Sequence, residues 1–334
     1  ADIDDGHRMA AGHAGAAVVP AAIAIAEEVK ASPEEILTAI VLGYETAVRL
    51  AVARNPEMNP STASGRWCGF GVAAVGAKLR RLTVSRTIQA LLITEQHSPG
   101  LLSAHLHGFG GSHVKEGLAW AVVTGMIAID LAMSGFKGYP DTLDQPRLYD
   151  GDTVIKDLGS EFMFHGTFFK PYACCRWIHP AIDAFLSIME KEKLSAKEIN
   201  AVHVETFNRA VQLENHVNPS TADEAQFSIP FIMGIVALFG PDHLLPLNIE
   251  LLGNDDVVSF GSKVTMEVND QLDECFPEQT MARVFVEAAG NRLEAFVEYP
   301  LGDPANPMKR AELQDKFSRL TSLEFSSQIQ NEIL

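Results

Sequence analysis

The sequence predicts an α+β protein, in which a large all-helical domain is followed by a smaller domain with antiparallel strands. Helical periodicity dominates the first 136 residues, and strand-like alternation begins only after them. The chain of 334 residues also exceeds the roughly 250 to 300 residues at which a single core stops growing. We therefore expect a helical domain over residues 1–160 and an α+β domain over 161–303, with 304–334 returning to the helical domain.

The helices of the first domain are predicted from caps and from apolar runs rich in Ala and Gly. The capping box SPEE at 32–35, with proline at the first helical position, starts a helix that runs to about Arg54. Pro20 is expected in the first turn of the preceding helix. Three further apolar segments continue the pattern, GFGVAAVGAKL, VSRTIQALLITEQ and KEGLAWAVVTGMIAIDLAM. The stretches 55–64 and 97–112, rich in proline or glycine, are the predicted loops.

The second domain is predicted to mix helices with strands. Its helices are expected over 179–192 and 222–239, and its strands over 201–207, 264–268, 281–288 and 293–299. The last two strands are joined through Ala289-Gly290-Asn291-Arg292, which is typical of a hairpin turn. Pro307 is placed to start one more helix.

The composition excludes several classes of function. The net charge of −17 opposes binding to nucleic acid and to anionic lipid. No apolar stretch is expected to reach the roughly 18 residues of a membrane span, and the apolar run 14–26 has acidic flanks, unlike a signal peptide. The adjacent Cys174 and Cys175 have no zinc-site spacing and are expected to be reduced thiols. We expect a cytoplasmic protein that binds neither nucleic acid nor membrane.

Acidic residues and histidines crowd the start of the chain, in the segment DIDDGHRMAAGHAG that begins at Asp2. A histidine beside a carboxylate can remove and return a proton near neutral pH, because the carboxylate fixes the imidazole tautomer and raises its basicity. The segment is therefore a candidate half of an active site. A solvated acidic terminus is the alternative.

A second candidate is the glycine-rich loop HLHGFGGSHVK at 105–115, which precedes a long helix. Backbone N–H groups at a helix start attract anions, and Lys115 adds a formal positive charge. An anion pocket and a plain flexible loop both fit this pattern. A metal site built from its histidines, among them His113, fits less well because the loop contains no cysteine or carboxylate.

A third candidate is the block KPYACCRWIHPAID, which places Lys170, Arg176 and His179 among aromatic residues. Two cations and an imidazole in an apolar setting suit a carboxylate-rich ligand. The alternatives are a purely structural segment, with His179 at a helix start, or a Cys/His nucleophile pair. In a fourth segment, Gln226 and Ser228 do not share a helix face, so that one of the two is expected to be structural.

These stretches together resemble the MmgE/PrpD family. The resemblance rests on the opening segment with the following PAAIAIAEE, on KPYACCRWIHPAIDA, on AQFSIPF, and on GDPANPM followed by a KF in the next helix. The family includes 2-methylcitrate dehydratase, cis-aconitate decarboxylase and iminodisuccinate epimerase. Membership implies a large helical domain, a smaller α+β lid domain, an active site in the cleft between them, a homodimer, and no metal or organic cofactor.

The resemblance also implies functional positions. Asp2, Asp5 and His13 match the family's aspartate-rich segment and its histidine. Lys115 matches the lysine that opens the long helix, and Lys170 matches the lysine of the second block.

The sequence departs from the family pattern at several places. Gly6 stands where relatives have threonine, and Asn59-Pro60-Ser61-Thr62 replaces a Gly-aromatic-His-Pro-Thr segment. Cys175 stands where the decarboxylase has a histidine, which disfavours decarboxylation by the usual residues. Relatives carry helices before the aspartate-rich segment, so the chain resembles a truncated member.

The resemblance and the residues predict a cofactor-independent lyase that removes water from, or adds it to, a citrate-like di- or tricarboxylate. His13 is the expected base, oriented by Asp2 or Asp5, and three cations stabilise the enediolate, namely Lys115, Lys170 and Arg176. His179, with His113 as the second choice, is the expected acid for the departing hydroxyl. Cys175 and Gln226 are expected to line the substrate site. The alternatives are a dicarboxylate epimerase, which needs no leaving-group acid, and a truncated, non-catalytic relative.

Overall fold

The computed structural model describes residues 3–61, 63–100 and 116–334, and these separate into two units, 3–167 and 168–334. The first is helical and the second combines helices with a four-stranded sheet. The predicted α+β class is confirmed. The change of unit falls after residue 167, whereas the sequence places it after 160.

The described helices of the first unit are α1 (Gly15–Val29), α2 (Pro33–Ala53), α3 (Gly65–Leu79), α4 (Val84–His97), α5 (Leu118–Met133) and α6 (Gly151–Ile155). Ser32 caps α2 in the predicted box with Glu35. Helices α2 and α3 pack so closely that a Cβ on Gly71 would lie only 2.7 Å from the carbonyl oxygen of Gly43. The small residues of the apolar runs therefore allow the helices to pack backbone against backbone. The short strand β1 (Gly6–His7) precedes these helices.

Pro20 does not lie in a first helical turn, contrary to the sequence prediction. Helix α1 already begins at Gly15, and Pro20 is an exposed residue in its interior. Ala17 and Val18, in the turn before Pro20, are buried in the core. Their contacts stabilise that turn as helix and offset the hydrogen bond that an internal proline cannot donate.

Helix α2 is long and apolar enough to cross a membrane by length and composition, which the sequence analysis did not anticipate. Half of its apolar window is buried within the protein, and it carries the buried ion pair between Glu45 and Arg49. Arg49 also donates to the carbonyl oxygens of Val154 and Lys156, at 3.1 and 2.6 Å. These contacts are those of a core helix, which passes the same test of length and composition.

The second unit contains the helices α7 (His179–Glu192), α8 (Asn208–Val211), α9 (Ala222–Gln226), α10 (Ile229–Phe239), α11 (Asp255–Gly261), α12 (Asp270–Asp273), α13 (Arg310–Thr321) and α14 (Ser327–Ile333). Strand β2 (Thr167–Phe168) lies at the boundary in the sequence, and the sheet is built from β3 (Ile199–Thr206), β4 (Val264–Val268), β5 (Ala282–Ala288) and β6 (Asn291–Val297). The strand order is β4-β3-β5-β6.

The sheet contains the predicted antiparallel strands and, in addition, one parallel pair that the sequence did not predict. Strands β3 and β4 are parallel, whereas β3–β5 and β5–β6 are antiparallel. The chain between β3 and β4 holds four helices, long enough for the crossover that a parallel pair requires. The β5–β6 turn consists of Ala289 and Gly290, both with positive φ, which is the backbone that a two-residue hairpin needs.

Two further segments differ from the prediction. The single helix expected over 222–239 is two helices, α9 and α10, because Ser228 accepts a hydrogen bond from the Phe231 N–H and caps a new helix. Residues 304–334 group with the second unit, whereas the sequence predicts their return to the first. In α13, Arg319 pairs with Asp242 of the same unit at 2.8 Å.

Candidate functional site

His13 has a defined tautomer. Its Nδ1 lies 2.7 Å from the backbone carbonyl oxygen of Asp5. A carbonyl oxygen only accepts hydrogen bonds, so Nδ1 carries the proton and Nε2 presents its lone pair. The His13 backbone N–H donates to Ser64 Oγ at 3.1 Å, and the side chain is 16% exposed. The imidazole is therefore fixed in place with a basic nitrogen available for proton transfer.

Two carboxylates flank this imidazole. Asp4 Oδ1 lies 3.6 Å from Nδ1, and Glu116 Oε1 lies 4.0 Å from Nε2. The negative charge of Asp4 beside Nδ1 attracts the positive charge that the ring acquires when Nε2 accepts a proton.

The geometry corrects the expected role of Asp5. Its backbone carbonyl orients His13, and the carboxylate beside Nδ1 belongs to Asp4. The other predicted orienting residue, Asp2, lies outside the described residues, as do His113 and Lys115.

The Asp5 carboxylate is bound to Tyr44 instead. The Tyr44 hydroxyl donates to Asp5 Oδ2 at 2.6 Å. Burial raises the pKa of Asp5, although the Tyr44 hydrogen bond and the charge of His13 act in the opposite direction. A Cβ on Gly15 would lie 2.2 Å from Asp5 Oδ1 and 2.0 Å from the Tyr44 oxygen. Gly15, two residues after His13, therefore has to lack a side chain for the Asp5–Tyr44 contact to form.

Glu116 is held by Ser64 and by an unusual backbone conformation. The Ser64 N–H and hydroxyl both donate to Glu116 Oε2, at 3.1 and 2.5 Å. Glu116 has φ of +48°, a region that non-glycine residues rarely occupy. The Gly65 N–H donates to the Glu116 carbonyl at 2.8 Å, and a Cβ on Gly65 would lie 2.4 Å from that oxygen.

His7 supports the loop that carries these residues. Its Nε2 lies 3.0 Å from the Met163 carbonyl oxygen, and its Nδ1 accepts from the Ala10 N–H at 3.3 Å. The contact with Ala10 requires the neutral ring, because Nδ1 accepts there, and burial lowers the pKa of His7. The backbones of His7 and Gly12 pair as a bridge, which closes the loop just before His13.

The second unit buries the cationic block predicted from the sequence. His179 is fully buried, its Nδ1 accepts from Arg176 Nη1 at 3.2 Å, and its Nε2 lies 3.4 Å from the Cys174 carbonyl oxygen. Burial and the charges of Arg176 and Lys170 hold the pKa of His179 well below its usual range. This neutral, enclosed ring favours a structural role at the start of α7 over the expected role of an acid.

Arg176 likewise serves the fold. It donates to the carbonyl oxygens of Leu301 and Pro300 at 2.7 and 3.0 Å, and its Nη2 lies 3.9 Å from Asp303 Oδ2. The guanidinium therefore fastens residues 300–303, at the start of the GDPANPM segment, to the block before α7. Its assignment as a substrate-binding residue stays a prediction.

Lys170, Cys175 and Gln226 are placed as follows. Lys170 is buried, with 4% of its surface exposed. Burial raises the pKa of the neighbouring Cys174 thiol, and the charge of Lys170 opposes part of that rise. Cys175 is half-buried and carries a thiol rather than a disulfide, and its N–H donates to the Gln226 carbonyl oxygen at 2.9 Å. The structure thus brings two predicted segments together, at 175 and 226.

A cluster of side chains that could ligate a metal lies elsewhere in the second unit, on β3 and β4. Among the described residues, His203, Glu205 and Glu267 place ligand atoms within 4.8 Å of one another. Each of the three side chains already forms a hydrogen bond or an ion pair within the protein. His203 Nδ1 lies 2.9 Å from the Thr265 hydroxyl and its Nε2 3.3 Å from Glu267, while Asn269 donates to Glu205.

Sequence reasoning missed four residues of the His13 environment, which are Asp4, Tyr44, Ser64 and Glu116. Asp4 carried a signal, since it stands in the same acidic segment as Asp5. The others come from a helix and two loops that are distant in sequence, and no spacing links them to His13.

Comparison with known proteins agrees with this architecture. Residues 1–152 match the MmgE/PrpD N-terminal domain, and residues 172–334 match the MmgE/PrpD C-terminal domain. The chain is 25% identical to a cis-aconitate decarboxylase of Aspergillus terreus over 356 aligned positions, which cover 96% of this chain and 71% of the relative. A second cis-aconitate decarboxylase, from Aspergillus terreus strain NIH 2624 / FGSC A1156, is 24% identical over the same coverage.

These relatives are carboxy-lyases, so the similarity extends to a lyase type of enzyme. Both matched domains follow each other in order along the chain and together cover most of it. The chain belongs to the MmgE/PrpD family.

Proposed function

We propose that the protein is a cofactor-independent lyase that removes water from, or adds it to, a citrate-like di- or tricarboxylate. The observation that carries the proposal is the environment of His13. Its Nδ1–H is fixed by the Asp5 carbonyl, and the Asp4 carboxylate, 3.6 Å from Nδ1, attracts the positive charge that the ring acquires when Nε2 accepts a proton.

The chemistry explains why such a base is needed. A proton on the carbon next to a carboxylate is weakly acidic, so its removal requires a fixed base and cations that stabilise the enediolate. His13 supplies the base in this proposal. Lys170 and Lys115 remain the proposed cations, and Lys170 is supported by its burial, since a buried ammonium attracts carboxylate strongly.

The test is turnover of citrate, 2-methylcitrate and cis-aconitate by the purified chain. Dehydration creates an unsaturated acid with ultraviolet absorbance, whereas epimerisation changes only the stereochemistry of a dicarboxylate and decarboxylation releases carbon dioxide. We expect dehydration of at least one hydroxy acid, and a loss of about 10²- to 10⁴-fold in His13→Asn, the range for a general base. His216→Asn is the matched control because His216 is a half-exposed histidine of the second unit.

Two results would overturn the proposal. Carbon dioxide release without dehydration would make the protein a decarboxylase, as the curated relatives are. Dehydration at an unchanged rate in a well-folded His13→Asn variant would remove His13 as the base.

The proposal also includes a cytoplasmic location and a homodimer, which the family resemblance implies. Light scattering of the purified chain would measure the oligomeric state directly.

A further inference from the structure

Dehydration needs a second proton-transfer group, because hydroxide leaves slowly unless it is protonated. The sequence predicts His179 for this task, whereas its enclosed position favours a structural role. We infer that Glu116 is the acid that protonates the departing hydroxyl. This inference rests on the proposed function and assigns a residue to the half of the reaction that His13 does not perform.

The position of Glu116 carries the inference. Its Oε1 lies 4.0 Å from His13 Nε2, the atom that receives the substrate proton in the proposed function. At that separation a reacting group can lie beside both atoms, and a proton can pass between them through one intervening hydroxyl or water. Both side chains are partly accessible, at 16% for His13 and 10% for Glu116.

Hydrogen bonds and an uncommon backbone conformation fix the Glu116 side chain in its position. Oε2 accepts two hydrogen bonds from Ser64, which leaves Oε1 as the oxygen directed at His13. The residue adopts φ of +48°, a conformation that costs of order 1 to 3 kcal/mol for a non-glycine residue and is concentrated at functional sites. Ser64 also accepts the His13 N–H, so that one serine positions both members of the pair.

Acidic groups crowd this part of the first unit. Asp4, Asp5 and Glu116 all lie close enough to Cys68 to raise the pKa of its buried thiol, after burial itself, which is the largest cause. The Cys68 thiol contacts the His13 carbonyl oxygen at 3.6 Å. Burial, and after it the charge of Asp4 among other causes, raises the pKa of Asp5, because like charges favour retention of a proton.

The proton balance closes within the pair. His13 Nε2 takes the proton from the carbon next to the carboxylate, the C–O bond breaks as the C=C bond forms, and the Glu116 carboxyl gives its proton to the leaving oxygen. Water and the unsaturated acid depart. The His13 imidazolium then returns its proton to the Glu116 carboxylate, which restores both groups without an external reactant.

The experiment separates the two halves of this cycle with citrate and 2-methylcitrate in D₂O. Proton NMR follows exchange of the hydrogen on the carbon next to the carboxylate, and ultraviolet absorbance follows elimination. In Glu116→Gln we expect elimination to fall about 10²- to 10⁴-fold, while His13-dependent exchange stays within threefold of the unmodified protein. His13→Asn is expected to lose both.

Two further variants test whether the effect of Glu116→Gln comes from the lost acid or from a disturbed structure. Ser64→Ala keeps the Glu116 carboxyl but removes the hydroxyl that holds Oε2, so it should lower elimination by less than Glu116→Gln does. Glu28→Gln, a change at an exposed glutamate that binds Arg80, should leave both rates unchanged. Melting temperatures confirm that each variant is folded.

The outcomes distinguish this inference from the proposed function. If Glu116→Gln eliminates water at the unmodified rate, or loses exchange and elimination equally, Glu116 is not the acid although His13 can still be the base. If the unmodified protein catalyses neither process, or if His13→Asn retains both, the proposed function fails and this inference fails with it.

Discussion

The backbone oxygen of Asp5, rather than its side chain, orients the proposed base. The acidic segment identified the region from sequence, because carboxylates and histidines alternate within thirteen residues. Which carboxylate faces the ring depends on the path of the loop, which is set by the bridge between His7 and Gly12 and by the turn at Ala11, where φ is +53°. That path has no local sequence pattern, so the sequence could not distinguish Asp4 from Asp5.

A pair of substitutions tests this reading. Asp4→Asn removes a negative charge 3.6 Å from Nδ1 and should lower turnover about 10- to 100-fold, equivalent to about 1.4 to 2.7 kcal/mol. Asp5→Asn keeps the backbone carbonyl and a group that can accept from Tyr44, and it should lower turnover by less. Steady-state rates on the best substrate of the panel measure both. A larger loss in Asp5→Asn than in Asp4→Asn would contradict the assignment.

His7 gives the loop a predictable dependence on pH. The folded pKa lies below the ordinary value of 6.5, because burial penalises the charged ring. Above pH 6.5 both states hold neutral His7, and its contribution to stability is fully present. As pH falls through 6.5 the unfolded chain takes up a proton that the folded chain does not, so stability is lost until the folded pKa is reached.

The measurement is urea unfolding of the protein and of His7→Gln between pH 7.5 and 5. The difference in unfolding free energy should shrink as pH falls, with a slope of at most about 1.4 kcal/mol per pH unit for one proton. Other titrating groups cancel in the difference between the two proteins. A difference that stays constant or grows toward pH 5 would show that His7 is not held neutral.

At the scale of elements, glycines decide how closely the site segments approach. Gly65 is the first residue of α3, and its missing side chain makes room for the Glu116 and Gly117 backbone. The apolar runs predicted helix α3 and its burial. They could not predict this contact, because the partner segment is about fifty residues away in sequence.

Gly65→Ala tests the contact. Its Cβ would meet backbone atoms at 2.4 and 2.7 Å, so either segment must shift. We expect a loss of about 1 to 3 kcal/mol in stability, the usual cost of overpacking, together with reduced turnover because Glu116 is displaced. Gly151→Ala is the matched control, since a Cβ there meets nothing within 4 Å. Equal stability of the two variants by thermal unfolding would contradict the close approach.

Element boundaries show where local signals suffice. Helix α7 and strand β4 were predicted at their observed limits, 179–192 and 264–268, because their patterns agree with their flanking residues. The break at Ser228 was missed, since an apolar run continues beyond it and the cap is visible only as a hydrogen bond to Phe231.

At the scale of the whole molecule, the sequence predicted the class of fold but not its pairings. Periodicity separates a helical first unit from an α+β second unit. The parallel pairing of β3 with β4 depends on how a long crossover returns, which no alternation pattern records. The same limit applied to the proposed site, because Ser64 and Glu116 reach His13 only through the packing of the first unit.

The negative charge of the whole chain, −17, gives the few buried cations a particular importance. An anionic substrate must overcome general repulsion, so binding should depend on local cations. Of the cations proposed from the sequence, Arg176 donates to the carbonyl oxygens of Pro300 and Leu301, and Lys170 remains as a described candidate.

The central claim is that His13 removes a proton from the carbon next to a substrate carboxylate. Its most direct measurement is deuterium incorporation at that carbon, by proton NMR, in citrate and 2-methylcitrate incubated in D₂O with the unmodified protein, His13→Asn and the control His216→Asn. We predict incorporation with the unmodified protein and the control, and a rate at least about 10²-fold lower in His13→Asn. Equal incorporation in folded His13→Asn, or none with any of the three proteins, would contradict the claim.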